Sequence, residues 1–347
     1  LDGAGGNDTV SYAFASAGVT LSLSSAGAQA TGSSGSDTLI SIENLIGSGF
    51  NDSLTGNTAN NVLDGGAGSD FLNGATGADT MLGGDGIDYY CVDHAGDVVT
   101  ESNAILATGG NDIVYSYVSA YTLTANVERL RLMLAGASNG TGNILDNTLY
   151  AGDGNNVLDG AGGTDTVSYA LASAGVTVSL ATAGAQATGG SGTDTLISIE
   201  NLTGSGFNDS LIGNTANNVL DGGAGDDRIS GGIGNDTLTG GAGSDTIRFD
   251  SVLNATTNRD TLSDFSVVND SMELENAIFT ALTPTGTLAS GSFHIGAGAG
   301  DADDHVIYNS ATGALFYDSD GSGSSLGVQF ATLSAGLALT NADFFVT

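Results

Sequence analysis

Two stretches of the sequence repeat a glycine-rich phrase of nine residues with an acidic or amide side chain at its sixth position. From Gly47 the chain reads GSGFNDSLT, GNTANNVLD, GGAGSDFLN, GATGADTML and GGDGIDYYC. From Gly204 it reads GSGFNDSLI, GNTANNVLD, GGAGDDRIS, GGIGNDTLT and GGAGSDTIR. Carboxylates held about 4 Å apart repel by roughly 1 kcal/mol even in water. The spacing therefore predicts cations between successive carboxylates.

Calcium is the cation that suits these side chains. It takes carboxylate and backbone carbonyl oxygens in irregular geometry, whereas magnesium demands a stricter octahedron. Zinc and copper favour the nitrogen and sulfur ligands that these turns lack. A purely local role for Asp and Asn in turns explains a single copy, but five copies in series favour bound calcium.

The same phrase predicts its own local structure. Six residues rich in Gly, Asn and Asp favour a tight turn with positive φ, and the next three form a short strand with one inward apolar side chain. Two nonapeptides make one coil, so turns on the same edge recur at every second nonapeptide. The predicted inward residues are Leu54, Leu63, Leu72, Met81 and Tyr90 in the first stretch and Leu211, Leu220, Ile229, Leu238 and Ile247 in the second.

This register assigns the acidic residues to two edges. Asp52, Asp70 and Asp88 share one edge, with Asp79 and Asn61 on the other. Asp209, Asp227 and Asp245 likewise share one edge, opposite Asn218 and Asp236. Because Asn61, Asn218 and Asn156 replace Asp at position six, we expect weak binding or a capping role there.

The candidate calcium ligands are acidic side chains and the turn glycines whose carbonyls can approach an ion. The acidic candidates are Asp8, Asp37, Asp52, Asp70, Asp79, Asp88, Asp97, Glu101, Asp165, Asp194, Asp209, Asp227, Asp236 and Asp245. The glycine candidates are Gly65, Gly66, Gly68, Gly83, Gly84, Gly86, Gly222, Gly223, Gly225, Gly231, Gly232, Gly234, Gly240, Gly241 and Gly243.

Composition excludes several classes of partner and fold. The 347 residues hold 39 Asp plus Glu against 5 Lys plus Arg, a net charge of −34, which excludes nucleic-acid phosphate as a partner. With 40% hydrophobic residues the chain is not of the disordered class. One Cys excludes an internal disulfide framework, and no apolar run is long enough to span a membrane. The opening LDGAGGNDTV is no signal peptide, and its start in mid-repeat predicts a longer parent protein.

The repeats predict an all-β chain of parallel β-roll blocks joined by β-rich spacers and closed by a C-terminal β cap. Residues 1–70 recur almost word for word at 158–227, which indicates a modular scaffold. Within this duplication, residues 10–31 and 167–188 break the period and predict longer strands or hairpins. The predicted segments are a partial repeat with spacer at 1–46, rolls at 47–91, 142–168 and 204–248, spacers at 92–141 and 169–203, and the cap at 249–347.

Residues for catalysis are sparse. HExxH and P-loop motifs are missing from the sequence, and its three histidines are scattered. Paired carboxylates in the acidic stretch DADDHVIYNSATGALFYDSDG can perform acid–base chemistry, but its end, YDSDG, is more typical of a hairpin turn or a further cation site. We therefore expect no enzymatic activity in this chain.

The nonapeptide GGxGxDxUx, with U a large apolar residue, resembles the calcium-binding β-roll repeat of the RTX (repeats-in-toxin) family. The stretch from Phe249, FDSVLNATTNRDTLSDF, is similar to the region that follows such rolls in serralysin-type proteases, bacterial lipases and alginate epimerase modules. The resemblance implies export by type I secretion machinery that reads an uncleaved C-terminal signal. It also implies folding driven by calcium outside the cell.

Three hypotheses follow from the sequence. The first is a calcium-dependently folding module of a secreted bacterial protein, structural and secretory in role. The second is a cell-surface or matrix protein, such as an S-layer, filament or adhesin, that assembles with calcium. The third is an accessory region of a secreted hydrolase, lyase or epimerase with its catalytic domain upstream.

Overall fold

The computed structural model describes residues 1–103, 109–323 and 327–347. It divides into two compact units, Leu1–Asp165 and Thr166–Thr347. Strands dominate both units, and the described helical segments that have defined bounds are single 3₁₀ turns at Gly32–Ser34, Ser290–Ser292 and Asn341–Asp343. The expectation of an all-β chain with parallel β-rolls is confirmed.

The first unit contains strands β1 to β17. They are β1 Thr9–Ser11, β2 Thr20–Ser22, β3 Gln29–Ala30, β4 Ser36–Asp37, β5 Asn44–Ile46, β6 Ser53–Thr55, β7 Val62–Ala67, β8 Phe71–Asn73, β9 Thr80–Asp85, β10 Tyr89–Val92, β11 Val98–Thr100, β12 Ile113–Ser116, β13 Ala120–Thr122, β14 Arg129–Leu132, β15 Asn139–Thr141, β16 Thr148–Tyr150 and β17 Val157–Asp159. Its parallel sheets run β1-β5-β7-β9-β11, β2-β6-β8-β10-β12-β14-β16 and β13-β15-β17.

The second unit contains strands β18 to β35. They are β18 Thr166–Ser168, β19 Thr177–Ser179, β20 Gln186–Gly189, β21 Gly192–Ile197, β22 Asn201–Thr203, β23 Ser210–Ile212, β24 Val219–Asp221, β25 Arg228–Ser230, β26 Thr237–Thr239, β27 Thr246–Phe249, β28 Asp260–Leu262, β29 Ser271–Leu274, β30 Gly286–Thr287, β31 Phe293–Ile295, β32 Val306–Asn309, β33 Ala314–Tyr317, β34 Val328–Thr332 and β35 Phe344–Val346. Its strand orders are β18-β22-β24-β26-β28-β34-β33-β32-β31 and β19-β23-β25-β27-β29-β35-β30.

The nine-residue period produces the coil because strands two nonapeptides apart pair in parallel. Leu54 pairs with Leu72, and Leu72 pairs with Tyr90 on the same face. Leu63 pairs with Met81 on the other sheet. The two sheets therefore alternate along the chain, one nonapeptide to each.

The core is the predicted inward column. All five inward residues of the first stretch are 0% exposed, and those of the second are 0–3% exposed. Burying a Leu or Ile side chain contributes about 1.5–3 kcal/mol. Most roll strands contribute one apolar residue to this interior, so stability depends on stacking many coils.

Glycine is required where successive turns stack most closely. Gly84 has φ of 109°, and a Cβ there would overlap the carbonyl oxygen of Gly66 one coil earlier. Gly68, at the fourth position, also has a positive φ, of 115°. Position two and position four glycines are thus conformational requirements of the turn.

The irregular residues of the duplication form hairpins as well as roll strands. Strand β2 joins the roll by pairing with β6, whereas β3 and β4 form a small antiparallel hairpin. In the second copy β19 pairs with β23, and β20 and β21 are antiparallel. The nonapeptide-like segments at 32–40 and 189–197 therefore lie in hairpins and do not form the β-roll turns that their sequences predict.

The stretch 92–141 continues the roll sheet although its period differs. Val114 of β12 pairs with Tyr90, and Leu130 of β14 pairs with Val114. Both Val114 and Leu130 are fully buried. The spacer therefore adds coils of unequal length to the same core.

The end of the second unit turns from parallel to antiparallel pairing. Strands β32, β33 and β34 form an antiparallel meander, and β34 pairs in parallel with β28 of the roll. Phe279 packs edge-on against Phe330 at a centroid distance of 5.3 Å, and Phe249 does so at 5.0 Å. This aromatic cluster covers the apolar interior at the last coils. Within the described residues, no helix has the length and apolar character that crossing a membrane requires.

Three glycines separate the contributions of backbone conformation and close contact to stability. We expect Gly84→Ala to lower the free energy of unfolding most. The positive φ alone costs about 1–3 kcal/mol, and overlap of the new Cβ with Gly66 adds to that loss. Gly35→Ala keeps the positive φ of 91° but has open space, and Gly27→Ala has neither constraint. Urea unfolding in saturating calcium measures all three. Equal losses for Gly84→Ala and Gly35→Ala would contradict the stacking argument.

Candidate calcium centre

The position-six carboxylates form two hydrogen-bonded ladders in the first unit. Asp70 Oδ1 accepts from the backbone N–H of Asp52 at 2.7 Å, and Asp88 Oδ1 accepts from that of Asp70 at 2.7 Å. On the opposite edge, Asp79 Oδ1 accepts from the N–H of Asn61 at 2.7 Å. The predicted assignment of these residues to two edges is confirmed.

The second unit repeats the arrangement. Asp227 Oδ1 accepts from the N–H of Asp209 at 2.7 Å, and Asp245 Oδ1 accepts from that of Asp227 at 2.9 Å. Asp236 Oδ1 accepts from the N–H of Asn218 at 2.8 Å on the other edge. Each carboxylate thus uses one oxygen to join its coil to the preceding coil.

The second oxygen of these carboxylates is buried and lacks a hydrogen-bond partner among the described residues. This holds for Oδ2 of Asp8, Asp70, Asp79, Asp88, Asp227, Asp236 and Asp245. Leaving one such group unsatisfied costs about 1–3 kcal/mol, and more when it is charged. An oxygen-seeking cation would remove that cost at each position.

The first glycine of each nonapeptide borders the same oxygen. A Cβ on Gly65 would overlap Asp70 Oδ2, and a Cβ on Gly222 would overlap Asp227 Oδ2. The Cβ on Gly222 would also lie 2.6 Å from the carbonyl oxygen of Gly240. The same relation joins Gly74 to Asp79, Gly83 to Asp88, Gly231 to Asp236 and Gly240 to Asp245. Carboxylate and carbonyl oxygens thus face a space that only glycine leaves open, and this donor set fits Ca²⁺.

Burial makes the ladder carboxylates resist ionisation. Desolvation, with smaller contributions from Asp88 and Asp52, raises the pKa of Asp70 to about 7, although the N–H of Asp52 opposes the shift. Desolvation likewise raises the pKa of Asp79 and Asp227 to about 6. A bound divalent cation reverses this effect because it favours the charged form.

Asn61 and Asn218 have hydrogen-bond partners for both side-chain polar atoms. Asn61 Oδ1 accepts from the N–H of Asn57 at 2.8 Å, and its Nδ2 donates to the carbonyl of Glu43 at 2.8 Å. Asn218 makes the same two bonds with Asn214 and Glu200. At these two positions the amide supplies a donor that a carboxylate lacks.

Asp52 and Asp209 lie on the ladders but have other donors. Asp52 Oδ1 accepts from Ser48 Oγ at 2.8 Å and from the N–H of Val19 at 2.6 Å, while its Oδ2 accepts from the N–H of Ser48. Asp209 is bonded to Ser205 in the same way. Ser at position two thus supplies donors where the turns of Asp70 and Asp227 have Gly66 and Gly223.

Two predicted ligands lie away from the ladders. Asp37 is in the β3–β4 hairpin, where its Oδ2 accepts from Tyr12 Oη at 3.0 Å and from Thr31 Oγ1 at 3.3 Å. Asp194 is in β21 and accepts from Thr188 Oγ1 at 3.1 Å. Their hydroxyl partners and strand positions set them apart from the turn carboxylates.

The remaining predicted ligands extend the ladders. Asp97 Oδ1 accepts from the N–H of Asp79 at 3.0 Å, and Asp165 Oδ1 accepts from that of Asn147 at 2.7 Å. The N–H of Asp8 donates to Glu43 Oε2 at 2.9 Å. Glu101 lies beside Asp88 and Asp112 in one buried cluster.

The nine-residue period does not find ladder residues whose coils are longer or shorter than two nonapeptides, as is also the case for Glu43. Asp112 accepts from Asp88 N–H at 2.7 Å, Glu128 from Asp112, Asp260 from Asp236 and Asp270 from Asp245. Each is followed at the second position by a buried apolar side chain: Val114, Leu130, Leu262 and Met272. An acidic residue two positions before a buried apolar one is the signal that finds them.

The acidic residues of the C-terminal cap are arranged as a turn. Asp304 Oδ2 accepts from the N–H groups of Gly300 at 2.8 Å and Asp301 at 3.0 Å, and lies 3.3 Å from His294 Nδ1. The N–H of Asp320 donates to Asp318 Oδ1 at 3.2 Å. Asp318 directly follows β33, which pairs antiparallel with β34, so it lies where the hairpin-turn interpretation of YDSDG predicts. Asp304 instead lies between the parallel strands β31 and β32.

Calcium binding should release protons near pH 6. Because the pKa of Asp70 is raised from 3.8 to about 7 in the folded state, the ion-free fold binds more protons than the unfolded chain. Ion-free stability therefore falls as pH rises through that window, while calcium affinity rises. Titration calorimetry in buffers of different ionisation enthalpy measures the proton release. Identical enthalpies in all buffers at pH 6 would contradict it, and pH 9 serves as the control.

Asn218→Asp should create an additional calcium site. The new carboxylate would face the carbonyl of Glu200 without the amide donor, lowering the ion-free unfolding free energy by about 1–3 kcal/mol. Calcium should restore it, and the bound-ion count should rise. Asp236→Asn is the reciprocal control, with fewer ions. Equal destabilisation of Asn218→Asp with and without calcium in urea unfolding would refute the site.

The nonapeptide stretches also match a known family model. The family model of the RTX calcium-binding nonapeptide repeat (4 copies) matches residues 42–72, 55–90, 141–170, 203–238 and 222–251. No curated protein matches the chain. A solved structure, the extracellular lipase LipA from Serratia marcescens, is similar at 15% identity with a TM-score of 0.19, over 88% of this chain and 40% of that chain. The chain therefore carries RTX calcium-binding nonapeptide repeats, and these repeats form a structural module that binds Ca²⁺ at multiple sites.

Proposed function

We propose that this chain is a calcium-dependently folding module of a secreted bacterial protein, and that its role is structural and secretory. The observation that carries the proposal is the series of buried carboxylate oxygens without donors, repeated in both units. Without calcium these oxygens oppose folding, and with calcium they hold successive coils together.

Charge supports this dependence on an external cation. The net charge is −34 and the chain has only five arginines. Among the described residues, the arginine ion pairs are those of Arg228 with Glu273 and of Arg248 with Asp250 and Glu275. None of these acidic partners is a position-six residue. Arginine therefore leaves the ladder charge for calcium to neutralise.

Mass action makes the dependence cooperative. An ion that binds only the folded chain at 100 times its Kd adds about 2.7 kcal/mol to stability. Several such sites exceed the marginal stability of an ordinary domain, about 5–15 kcal/mol. Folding and filling of the ladders then occur together.

Export by type I secretion machinery fits this switch. Where calcium is scarce, the repelling carboxylates favour an unfolded chain that can be transported, and millimolar calcium outside the cell fills weak sites. The resemblance of residues 249–347 to secretion regions of RTX proteins supports the same route. We place the working location outside the cell or at its surface.

A structural role also suits the positions of the carboxylates. Each ladder oxygen that is not bonded to a backbone N–H faces a neighbouring turn, where a cation joins coils. The acidic cluster of the cap is held by its own turn N–H groups. We propose that the seven sequence segments act as parts of one non-catalytic scaffold.

Assembly of several copies is a second candidate. Strands β1 and β2 stand first in their sheet orders, so in the described chain each has a neighbour on one side only. Phe14 and Leu1 are strongly exposed nearby in sequence. Open strand edges are natural association surfaces. Growth of particle mass with calcium in light scattering would favour assembly as the function.

The decisive test is a calcium titration of chelator-stripped full chain, followed by far-UV circular dichroism, with magnesium as the control ion. We expect a coil-to-β transition with calcium alone. The double variant Asp70→Asn with Asp227→Asn should shift its midpoint to higher calcium, because each substitution removes one ladder charge. A β spectrum that persists in metal-free protein, verified by metal analysis, would refute calcium-dependent folding.

A further inference from the structure

One buried acidic cluster of the first unit departs from the nonapeptide pattern. Asp88, Glu101 and Asp112 each offer a carboxylate oxygen, and these oxygens all lie within 4.8 Å of one another. The three residues are 0%, 6% and 1% exposed. Glu101 and Asp112 lie outside the residues that match the repeat model.

The register explains how Glu101 reaches this position. Gly65, Gly83 and Glu101 follow one another at intervals of two nonapeptides. Gly65 lies in β7, Gly83 lies in β9, and Glu101 comes directly after β11, the next strand of the same sheet. Glu101 therefore takes the place of a first-position glycine. At the position where Gly65 and Gly83 have no side chain, Glu101 adds a third carboxylate to those of Asp88 and Asp112.

The unpartnered oxygen of Asp88 points into the cluster. A Cβ built on Gly83 would overlap Asp88 Oδ2, Glu101 Oε1 and Tyr90 Oη together, so these three atoms surround one small space. Asp88 Oδ2 has no hydrogen-bond partner among the described residues, although Asp88 is fully buried. A buried oxygen of this kind requires a donor or a cation.

Other contacts fix the cluster in place. Tyr90 Oη donates to Glu101 Oε1, and the N–H of Gly84 donates to Glu101 Oε2 at 3.3 Å. Asn126 Nδ2 donates to the carbonyl of Glu101 at 3.0 Å, and Asp112 Oδ1 accepts from the N–H of Asp88 at 2.7 Å. Within the described chain, no arginine or histidine forms an ion pair with any of the three carboxylates.

We propose that Asp88, Glu101 and Asp112 bind one further Ca²⁺, which fastens Glu101, directly after β11, to the turn at 83–88. Oxygens that share one Ca²⁺ at about 2.3–2.6 Å are at most about 5 Å apart, as these are. The site carries three carboxylates, so it binds calcium more tightly than a rung with one carboxylate and neighbouring carbonyls. It rests on the proposed function only in taking calcium as the physiological ion.

The same charge count favours a trivalent ion of similar size, which supplies a probe. Tb³⁺ substitutes for Ca²⁺ and emits when a nearby aromatic ring transfers excitation to it. The chain has no Trp, so tyrosines are the sensitisers. Tyr90 donates directly to Glu101, which places its ring beside the proposed ion.

The experiment titrates Tb³⁺ into the folded full chain with excitation of tyrosine. Wild type should emit at the lowest Tb³⁺ concentrations, and Tyr90→Phe should lose that first phase while binding the same number of ions. Glu101→Gln keeps the side-chain shape and should weaken the first phase at least about tenfold, because affinity follows ligand charge. Asp303→Asn, at an exposed carboxylate of the C-terminal cap outside the ladders, is the matched control and should leave this phase unchanged.

Two outcomes would overturn the site. One is a first phase unaffected by Tyr90→Phe, and the other is an ion count and midpoint unaffected by Glu101→Gln. If Glu101→Gln does not fold, as judged by circular dichroism, Asp112→Asn provides the same comparison. Failure of calcium-dependent folding is distinguishable, since it would abolish the coil-to-β transition while the Tyr90-sensitised phase remained sensitive to Glu101.

Discussion

The structure depends on a carboxylate that is buried at the end of the turn with only one of its two oxygens bonded to the protein. Oδ1 of Asp70 or Asp227 accepts from the backbone of the preceding coil, which fixes the stacking register. Oδ2 is left facing glycine and a carbonyl, without a donor among the described residues. A buried oxygen of this kind requires a donor or a cation, and the Ca²⁺ that the repeats bind can meet that requirement.

The ladder and the core are joined by the same short strand. At the second position after each position-six Asp, a buried apolar side chain enters the interior, as Leu72 does after Asp70. A shift of one residue would turn both groups to the wrong face. Ion binding at the edge and apolar packing in the centre therefore stabilise one register together, and neither has to do so alone.

Departures from the consensus are local solutions to the same shortage of donors. Asn61 brings its own amide donor, and Asp52 receives donors from Ser48. Asp37 and Asp194 use hydroxyl groups in hairpins. At Asp79 and Asp236, Oδ2 instead borders the first glycine of its own nonapeptide and has no hydrogen-bond partner among the described residues. In these turns, the second and sixth residues thus indicate whether a protein group donates to the position-six oxygen.

The coil follows from the amino-acid sequence, because a period of nine with one apolar residue permits one stacking register. The period also assigns the inward column that begins at Leu54 to the core, and Asp70, Asp79 and Asp227 to their edges.

The places where the period fails depend on tertiary contacts. Asp112 and Asp260 join the ladders 24 residues after Asp88 and Asp236, since a loop of any length can return a strand to the sheet edge. Asp37 fits the nonapeptide but lies in a hairpin, because antiparallel pairing of β3 with β4 overrides the local turn pattern. The local sequence sets the turn conformation and the side of the strand on which each side chain lies. Strand pairing depends on contacts between residues distant in sequence.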